Sequence, residues 1–228
     1  MQPYLFPYLV YYQLINAVDK FVIYDDVSFI KQGWINRNQI LFNGEAHLFS
    51  IPVEEISSFR LIRDTKLHPT LYPIWKKKFL QTLKHAYNKA PCYIETFKLV
   101  EQVLDVSLDE NIANLSKDSI IKICKYLNLN KEFVDSSSKY ANSNLRSVDR
   151  VVDICSRENA TIYSNMAGGM ELYNPETFNK HGIDLNFIKA NILPYKQFNF
   201  SFAPGLSIID VLMFNEKEKV VEFITQII

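Results

Sequence analysis

The sequence predicts an α/β protein: a Rossmann-like, mostly parallel sheet with helices on both faces and a helical insertion in the middle third. Three observations support this class. The chain starts with a helix-then-strand pattern, residues 73–128 repeat apolar side chains at helical spacing, and residues 160–188 give a strand, a glycine loop, a helix and a second strand. Without a linker or an internal repeat, residues 1–228 are expected to form a single α/β domain, with 73–128 as an insertion or lid.

The first third alternates apolar runs with a polar stretch. Tyr8 to Asn16 is apolar and aromatic, which predicts a short buried helix, and Lys20 to Asp25 predicts a buried strand. Residues 26–45 are polar and are predicted to be irregular. Ala46 to Val53 predicts another strand, and Leu61 to Leu67 a weaker one.

Helical periodicity dominates the middle third. From Pro73 onward, large apolar side chains recur every four residues and share one face of a helix: Trp75, Phe79, Leu83 and Tyr87. Residues 91–104 predict a second helix. Ser107 and Glu110 predict a capping box for a third helix, which continues to Leu127.

The last third contains the clearest strand–helix–strand unit. Ala160 to Tyr163 is the predicted strand, Ser164 to Gly169 a tight loop, and Ile183 to Ile188 the next strand. Asn174 and Pro175 predict the N-cap and first residue of the helix between them. Other elements are predicted at Glu132 to Asp135 (strand), Val148 to Cys155 (helix) and from Ser207 onward (two helices).

Composition excludes several classes of protein. Basic and acidic residues balance at 25 each, so the net charge of +0 provides no global field for nucleic acid. No apolar run is long enough for a membrane span and the start lacks a signal-peptide pattern, so we expect a cytoplasmic protein. The three cysteines have no paired spacing, so no structural metal site or disulfide framework is predicted.

The first candidate site is the polar run after the strand predicted to end at Asp25. Ligands of open α/β sheets bind beyond the carboxyl ends of strands. Asp25 and Asp26 could hold a divalent ion or act on a hydroxyl or amine. Lys31 and Arg37 could pair with phosphate or carboxylate, and Trp34 could stack on a base or sugar. The alternative is a loop whose charges satisfy one another, with Trp34 in the core.

Two further segments are candidates. Gln2 to Pro7 is an aromatic loop that leads into a helix N-terminus, where backbone N–H groups favour an anion. The strand that would feed this loop is missing, so we expect Met1 to be internal to a longer reading frame. Ser164 to Gly169 ends in paired glycines, which let a backbone approach phosphate closely, although a plain turn has the same pattern.

An ordered set of short motifs runs along nearly the whole chain: Gln2-Pro3 with Phe6-Pro7, Asp25-Asp26-Val27, Trp34-Ile35-Asn36-Arg37-Asn38, Ile51-Pro52-Val53, Lys89-Ala90-Pro91, Ser164 to Tyr173, His181-Gly182-Ile183, Pro194-Tyr195 with Gln197, and Pro204 to Asp210. This set resembles the WbqC-like protein family, found among bacterial surface-polysaccharide and O-antigen biosynthesis genes. The resemblance implies a glycine or aminoacyl transferase acting on amino sugars. The chain departs from the family in lacking a short strand before the Gln-Pro loop and in having Asn165 where a glycine is common.

We therefore predict a transferase that joins a small acyl or aminoacyl group to a nucleotide-linked amino sugar. One alternative is a nucleotidyltransferase similar to the HIGH type, which would use magnesium near the aspartates although that motif's histidines are absent. Another is a non-catalytic carbohydrate-binding protein. The predicted catalytic residues are Asp25, Asp26 and Lys31. The predicted substrate-binding residues are Gln2, Tyr4, Pro7, Trp34, Asn36, Arg37, Ser164, Asn165, Gly168, Gly169 and Tyr173.

Overall fold

The computed structural model describes residues 1–107 and 110–226. Within these residues the helices are α1 Leu9–Ala17, α2 Leu71–Tyr87, α3 Tyr93–Leu104, α4 Ile112–Tyr126, α5 Ser147–Arg157, α6 Pro175–Asn179, α7 Ile208–Phe214 and α8 Lys217–Thr225. The strands are β1 Lys20–Val22, β2 Arg37–Phe42, β3 Glu45–Ser50, β4 Glu132–Val134, β5 Ile162–Met166 and β6 Asp184–Ile188. Short 3-10 helices cover Ile62–Asp64, Ser137–Tyr140 and Ala167–Leu172. No helix in the described ranges has the length and apolarity needed to cross a membrane.

The described strands form three two-stranded sheets. β1 pairs with β4 and β5 with β6, both in parallel, whereas β2 and β3 are antiparallel. The mixed α/β class is thus confirmed. The expected single, mostly parallel sheet is not what these strands form, because their hydrogen bonds join them only in pairs.

The strand–helix–strand unit of the last third forms as predicted, with a shifted first strand. Asn174 caps α6 by accepting a hydrogen bond from the Glu176 amide, and Pro175 is its first residue. β5 continues through Ser164 and Asn165, which were expected in the loop, because it pairs with β6 as far as Met166. Pairing with a partner strand therefore overrode the local turn pattern.

The stretch 26–45, expected to be irregular, contains most of a hairpin. β2 and β3 pair from Arg37 to Ser50, and Asn43 and Gly44 form the turn with φ of 52° and 85°. Two successive positive φ angles are typical of the two-residue turn that matches strand twist, and Asn-Gly is its preferred sequence. The prediction of an irregular loop was wrong because the Asn43-Gly44 turn reverses the chain and lets residues 37–42 pair with β3.

Gly44→Ala is expected to destabilise the protein by about 2–4 kcal/mol. Alanine disfavours a positive φ, and its Cβ would lie 2.6 Å from the Phe200 ring. Gly168→Ala is the matched control, since no heavy atom lies within 4 Å of a Cβ placed there. Urea unfolding of both variants tests this, and equal stability of the two would contradict it.

Two further local predictions need correction. Leu61 to Leu67 forms a 3-10 helix at Ile62–Asp64 rather than a strand, with only isolated bridges at its ends. The N-cap of α4 is Asn111, whose side chain accepts from the Asn114 amide, rather than a box at Ser107 and Glu110. The Glu110 side chain instead accepts from the backbone N–H of Asn111, and the N-cap lies four residues after the predicted Ser107.

The helices of the middle third share the main hydrophobic core. Leu83 of α2 and Val103 of α3 are fully buried in the same cluster as Ile15 of α1 and Ile224 of α8. This stretch therefore packs directly on the rest of the chain. Movement of residues 73–128 as a lid stays a prediction.

Candidate functional site

β1 and β4 bring the first candidate segment next to a turn that is distant in sequence. The pairing continues past β1, because the Ile23 amide donates to the Val134 carbonyl at 3.0 Å. The two strands are parallel, so their carboxyl ends lie side by side. Asp25 and Asp26 therefore emerge beside residues 136–138.

Both aspartates are buried and hydrogen-bonded. Oδ1 of Asp25 accepts from the Ser136 hydroxyl at 2.7 Å and from the Ser137 amide at 3.2 Å. Asp26 accepts from the Ser137 hydroxyl through Oδ1 and from the Arg150 guanidinium through Oδ2. The two carboxylates thus fix the turn after β4 and bind one helix to it.

Arg150 is the partner that sequence reasoning missed. Its Nε donates to Asn142 Oδ1 at 2.9 Å and its Nη1 to the Asp26 carbonyl at 3.2 Å, and its guanidinium carbon lies 5.0 Å from the Tyr24 ring centre. All three of its nitrogens therefore bind protein atoms. The only sequence signal was its place beside Val151 and Val152 on α5, where an arginine that points inward must be paired.

A cavity of about 700 Å³ opens beside the Asp26–Arg150 ion pair. The predicted residues Gln2 and Asp26 line it together with Arg150. Arg63 and Arg146 add two guanidinium groups that the sequence analysis did not single out. Its volume lies in the range of small-molecule sites, as does that of a second cavity of about 650 Å³ lined by Glu54 and Arg60. The cavity at Asp26 is the candidate functional site because it is lined by residues that the sequence predicts to act on a substrate.

Residues 31–37, the second half of the polar run that follows the first strand, are absent from the described lining of this cavity. Lys31 is exposed, and its predicted catalytic role stays a prediction. Trp34 is 41% exposed, so it does not fill the core. The Arg37 guanidinium lies 5.7 Å from the Trp34 ring centre and donates to the Gly33 carbonyl at 2.8 Å. These two side chains form a separate, partly exposed stack.

Metal-binding side chains are not clustered in the described part of the chain. No group of three or more His, Cys, Asp or Glu side chains that could hold an ion occurs there. Asp25 and Asp26, the predicted magnesium ligands of the nucleotidyltransferase alternative, instead bind serine and arginine.

Comparison with known proteins assigns the family. A model of the WbqC-like protein family matches residues 2–222. The chain belongs to the WbqC-like protein family. It is 26% identical over 211 residues to "Uncharacterized protein Rv1507c" of Mycobacterium tuberculosis, covering 90% of this chain and 88% of that protein. No solved structure matches significantly.

Several motif residues of this WbqC-like chain fix the Gln2–Pro7 loop. Asn38 donates to the Phe6 carbonyl at 2.7 Å, Ser207 donates to the same carbonyl at 2.8 Å, and the Phe6 amide donates to Ser119 Oγ at 3.2 Å. Phe6 itself has a φ of 42°. These bonds hold the loop in place at Phe6, and the Tyr11 hydroxyl holds Gln2 by donating to its carbonyl at 2.8 Å.

The other loop and hairpin residues predicted to bind substrate are placed as follows. Tyr4 packs on the Tyr11 ring with centroids 5.8 Å apart, and Pro7 is buried with its carbonyl accepting from Ile208. Asn36 is buried and donates to the Ile51 carbonyl at 2.8 Å, which joins the residue before β2 to the residue after β3. None of these three is in the described cavity lining.

The Ser164–Tyr173 segment lies outside the described lining of the cavity. Ser164 and Asn165 belong to β5, and Gly168 and Gly169 to the following 3-10 helix. The Tyr173 ring packs against Tyr163 and Phe178, with ring centroids 5.7 and 5.8 Å away.

The motifs near the end of the WbqC-like pattern meet in a second buried polar cluster. Asp210 accepts from Tyr87 at 2.7 Å, and from Tyr195 and Gln197 at 2.6 Å each. The Tyr87 hydroxyl in turn accepts from the Leu41 amide at 2.7 Å. Burial raises the pKa of Asp210, while the three donors lower it. The cluster joins α2, α7 and the hairpin, and sequence reasoning gave it no role.

Proposed function

We propose that this WbqC-like chain is a cytoplasmic transferase of bacterial surface-polysaccharide biosynthesis. It joins glycine, or another small acyl or aminoacyl group, to the amine of a nucleotide-linked amino sugar. The observation that carries the proposal is the cavity at Asp26 and Arg150, with a volume of about 700 Å³. Its lining combines a carboxylate, guanidinium groups and the Gln2 amide, which suit a polar, anionic small molecule. The family resemblance supports the reaction type.

The proposed reaction is aminolysis of an activated ester or thioester. The sugar amine forms a bond to the donor's carbonyl carbon, the bond from that carbon to the donor's oxygen or sulfur breaks, and the amine proton ends on the departing group. Asp26, at the cavity wall, accepts the N–H of the amine and transfers its proton. Asp25 is a positioning residue, because its carboxylate binds the turn at Ser136 and Ser137.

The first experiment measures binding and turnover together. Purified protein is heated with a panel of nucleotide-linked amino sugars, and a ligand at about a hundred times its Kd is expected to add roughly 2.7 kcal/mol of stability. The stabilising sugar is then incubated with activated glycine and other acyl donors, and mass spectrometry detects the amide. Gln2→Ala and Asp26→Asn, both checked for folding, are expected to lose at least tenfold in rate.

The matched substrate control is the same nucleotide sugar with a hydroxyl in place of the amine, which should bind without being acylated. Stabilisation by the amino sugar without transfer from any donor would favour a binding protein. Pyrophosphate release from a nucleoside triphosphate with magnesium would favour nucleotidyl transfer. Either result, or no stabilisation across the panel, would contradict the proposed transferase.

A further inference from the structure

The candidate cavity has a local excess of positive charge. Its described lining includes three arginines, Arg63, Arg146 and Arg150, and one acidic residue, Asp26. The chain as a whole has a formal net charge of +0. The excess therefore belongs to the cavity and is not a consequence of overall charge.

Arg63 and Arg146 supply this excess, since Arg150 is neutralised by Asp26. Within the described residues, Arg146 forms no ion pair, and Arg63 approaches only its exposed neighbour Asp64, at 3.7 Å. The two side chains come from separate segments, one from the 3-10 helix Ile62–Asp64 and one from the residue before α5. The backbone of Arg63 is fixed, because its amide donates to the Asp25 carbonyl at 3.1 Å.

The remaining polar lining consists mainly of groups that can donate hydrogen bonds to an anion. Four serines, Ser28, Ser138, Ser143 and Ser147, contribute hydroxyl groups, and Gln2 contributes an amide. Guanidinium and hydroxyl donors together are the groups that bind phosphate oxygens. A diphosphate that links two organic groups carries two negative charges, which matches two arginines, of which Arg63 has only an exposed, loose pair with Asp64.

We propose that Arg63 and Arg146 form a diphosphate-binding subsite in this cavity, one guanidinium for each phosphate. The assignment of the diphosphate to a nucleotide-linked sugar rests on the proposed function, whereas the subsite itself rests on the lining. It replaces the sequence expectation that Lys31 and Arg37 bind this group. Arg150 then has a separate role, which is to hold Asp26 at the cavity wall.

Calorimetric titration with inorganic pyrophosphate and with UDP, dTDP and GDP tests the subsite, with each free nucleoside as a ligand control. Arg63→Ala and Arg146→Ala are each expected to weaken binding about tenfold or more. Arg63→Lys and Arg146→Lys should recover part of the loss, because a point charge remains. Arg60→Ala is the matched control: Arg60 lies three positions before Arg63, is paired with Glu55, and is absent from the described lining. It should change the Kd less than twofold.

The possible results distinguish a failure of the proposed subsite from a failure of the proposed reaction. Unchanged affinity in both arginine variants, or a loss in Arg60→Ala as large as theirs, would overturn the subsite. A tenfold loss in Arg37→Ala with none in Arg146→Ala would return the diphosphate to the position expected from sequence. Pyrophosphate binding that depends on both arginines, without acyl transfer to any amino sugar, would support the subsite and contradict the transferase. Binding of pyrophosphate but of no nucleoside diphosphate would identify an adventitious ion only and overturn the assignment.

Discussion

Arg150→Ala is expected to lower the free energy of unfolding by about 3–5 kcal/mol, among the largest effects of any single substitution in this chain. The variant leaves the Asp26 carboxylate, whose side chain is 7% exposed, without its counter-charge. It also leaves Asn142 Oδ1 and the Asp26 carbonyl without the donors that Arg150 supplies. Urea unfolding followed by circular dichroism measures the loss.

The controls separate two quantities: the cost of leaving one buried charge unpaired, and the net contribution of the ion pair to the free energy of unfolding. Arg60→Ala breaks a pair whose Glu55 partner is 77% exposed, and should cost less than about 1 kcal/mol. A double replacement, Asp26→Leu with Arg150→Met, should be more stable than Arg150→Ala, because no buried charge is left unpaired. If Arg150→Ala cost no more than Arg60→Ala, the buried ion pair would not be present in solution.

Only part of the candidate site could be predicted from the sequence. Asp26 follows a buried strand and Gln2 begins a rigid loop, so local pattern was enough to select both. Arg150 lies 124 positions from Asp26, and no local pattern indicates which strands will be neighbours. For the same reason, no local pattern indicated that Arg63 and Arg146, which come from two other segments, line the cavity.

Helices were predicted more accurately than strand pairing. The four-residue repeat that includes Phe79 and Leu83 fixes a helix and its buried face within one segment, and α2 has that face. A strand depends on its partner, so β5 extended beyond its predicted end at Tyr163 once β6 paired with it. The prediction of a single sheet was wrong for the same reason, since the alternation of helices and strands along the chain does not determine which strands pair.

Hydrogen bonds within the chain account for two polar motif residues, of which Asn36 was predicted to bind substrate. Asn36 and Asn38 donate to backbone carbonyls of the chain itself, Asn36 across the hairpin and Asn38 to the Gln2–Pro7 loop. A buried side-chain amide can donate a hydrogen bond either to a backbone carbonyl of an irregular segment or to a ligand. The sequence pattern is the same in both cases. The geometry therefore favours a structural role for these two residues.

Asp210→Ala is expected to cost about 3–5 kcal/mol, comparable with Arg150→Ala. The variant removes the acceptor of three donors, Tyr87, Tyr195 and Gln197, in a cluster where Asp210 is fully buried. Each unsatisfied buried donor costs about 1–3 kcal/mol. Asp105→Ala is the matched control, since its carboxylate is 81% exposed in a surface pair with Lys76, and it should cost less than about 1 kcal/mol.

Asp210→Asn tests the same cluster through pH. Burial raises the pKa of folded Asp210 above the unfolded value of 3.8, so between these two values the folded state binds more protons than the unfolded state. This group therefore makes the wild type lose stability as pH rises through that window, whereas asparagine does not titrate. The cost of Asp210→Asn should accordingly be larger near pH 4 than near pH 8, as measured by urea unfolding at each pH. A cost that grows with pH would mean that the three donors outweigh burial and hold Asp210 ionised, which would reverse the assigned direction of its pKa.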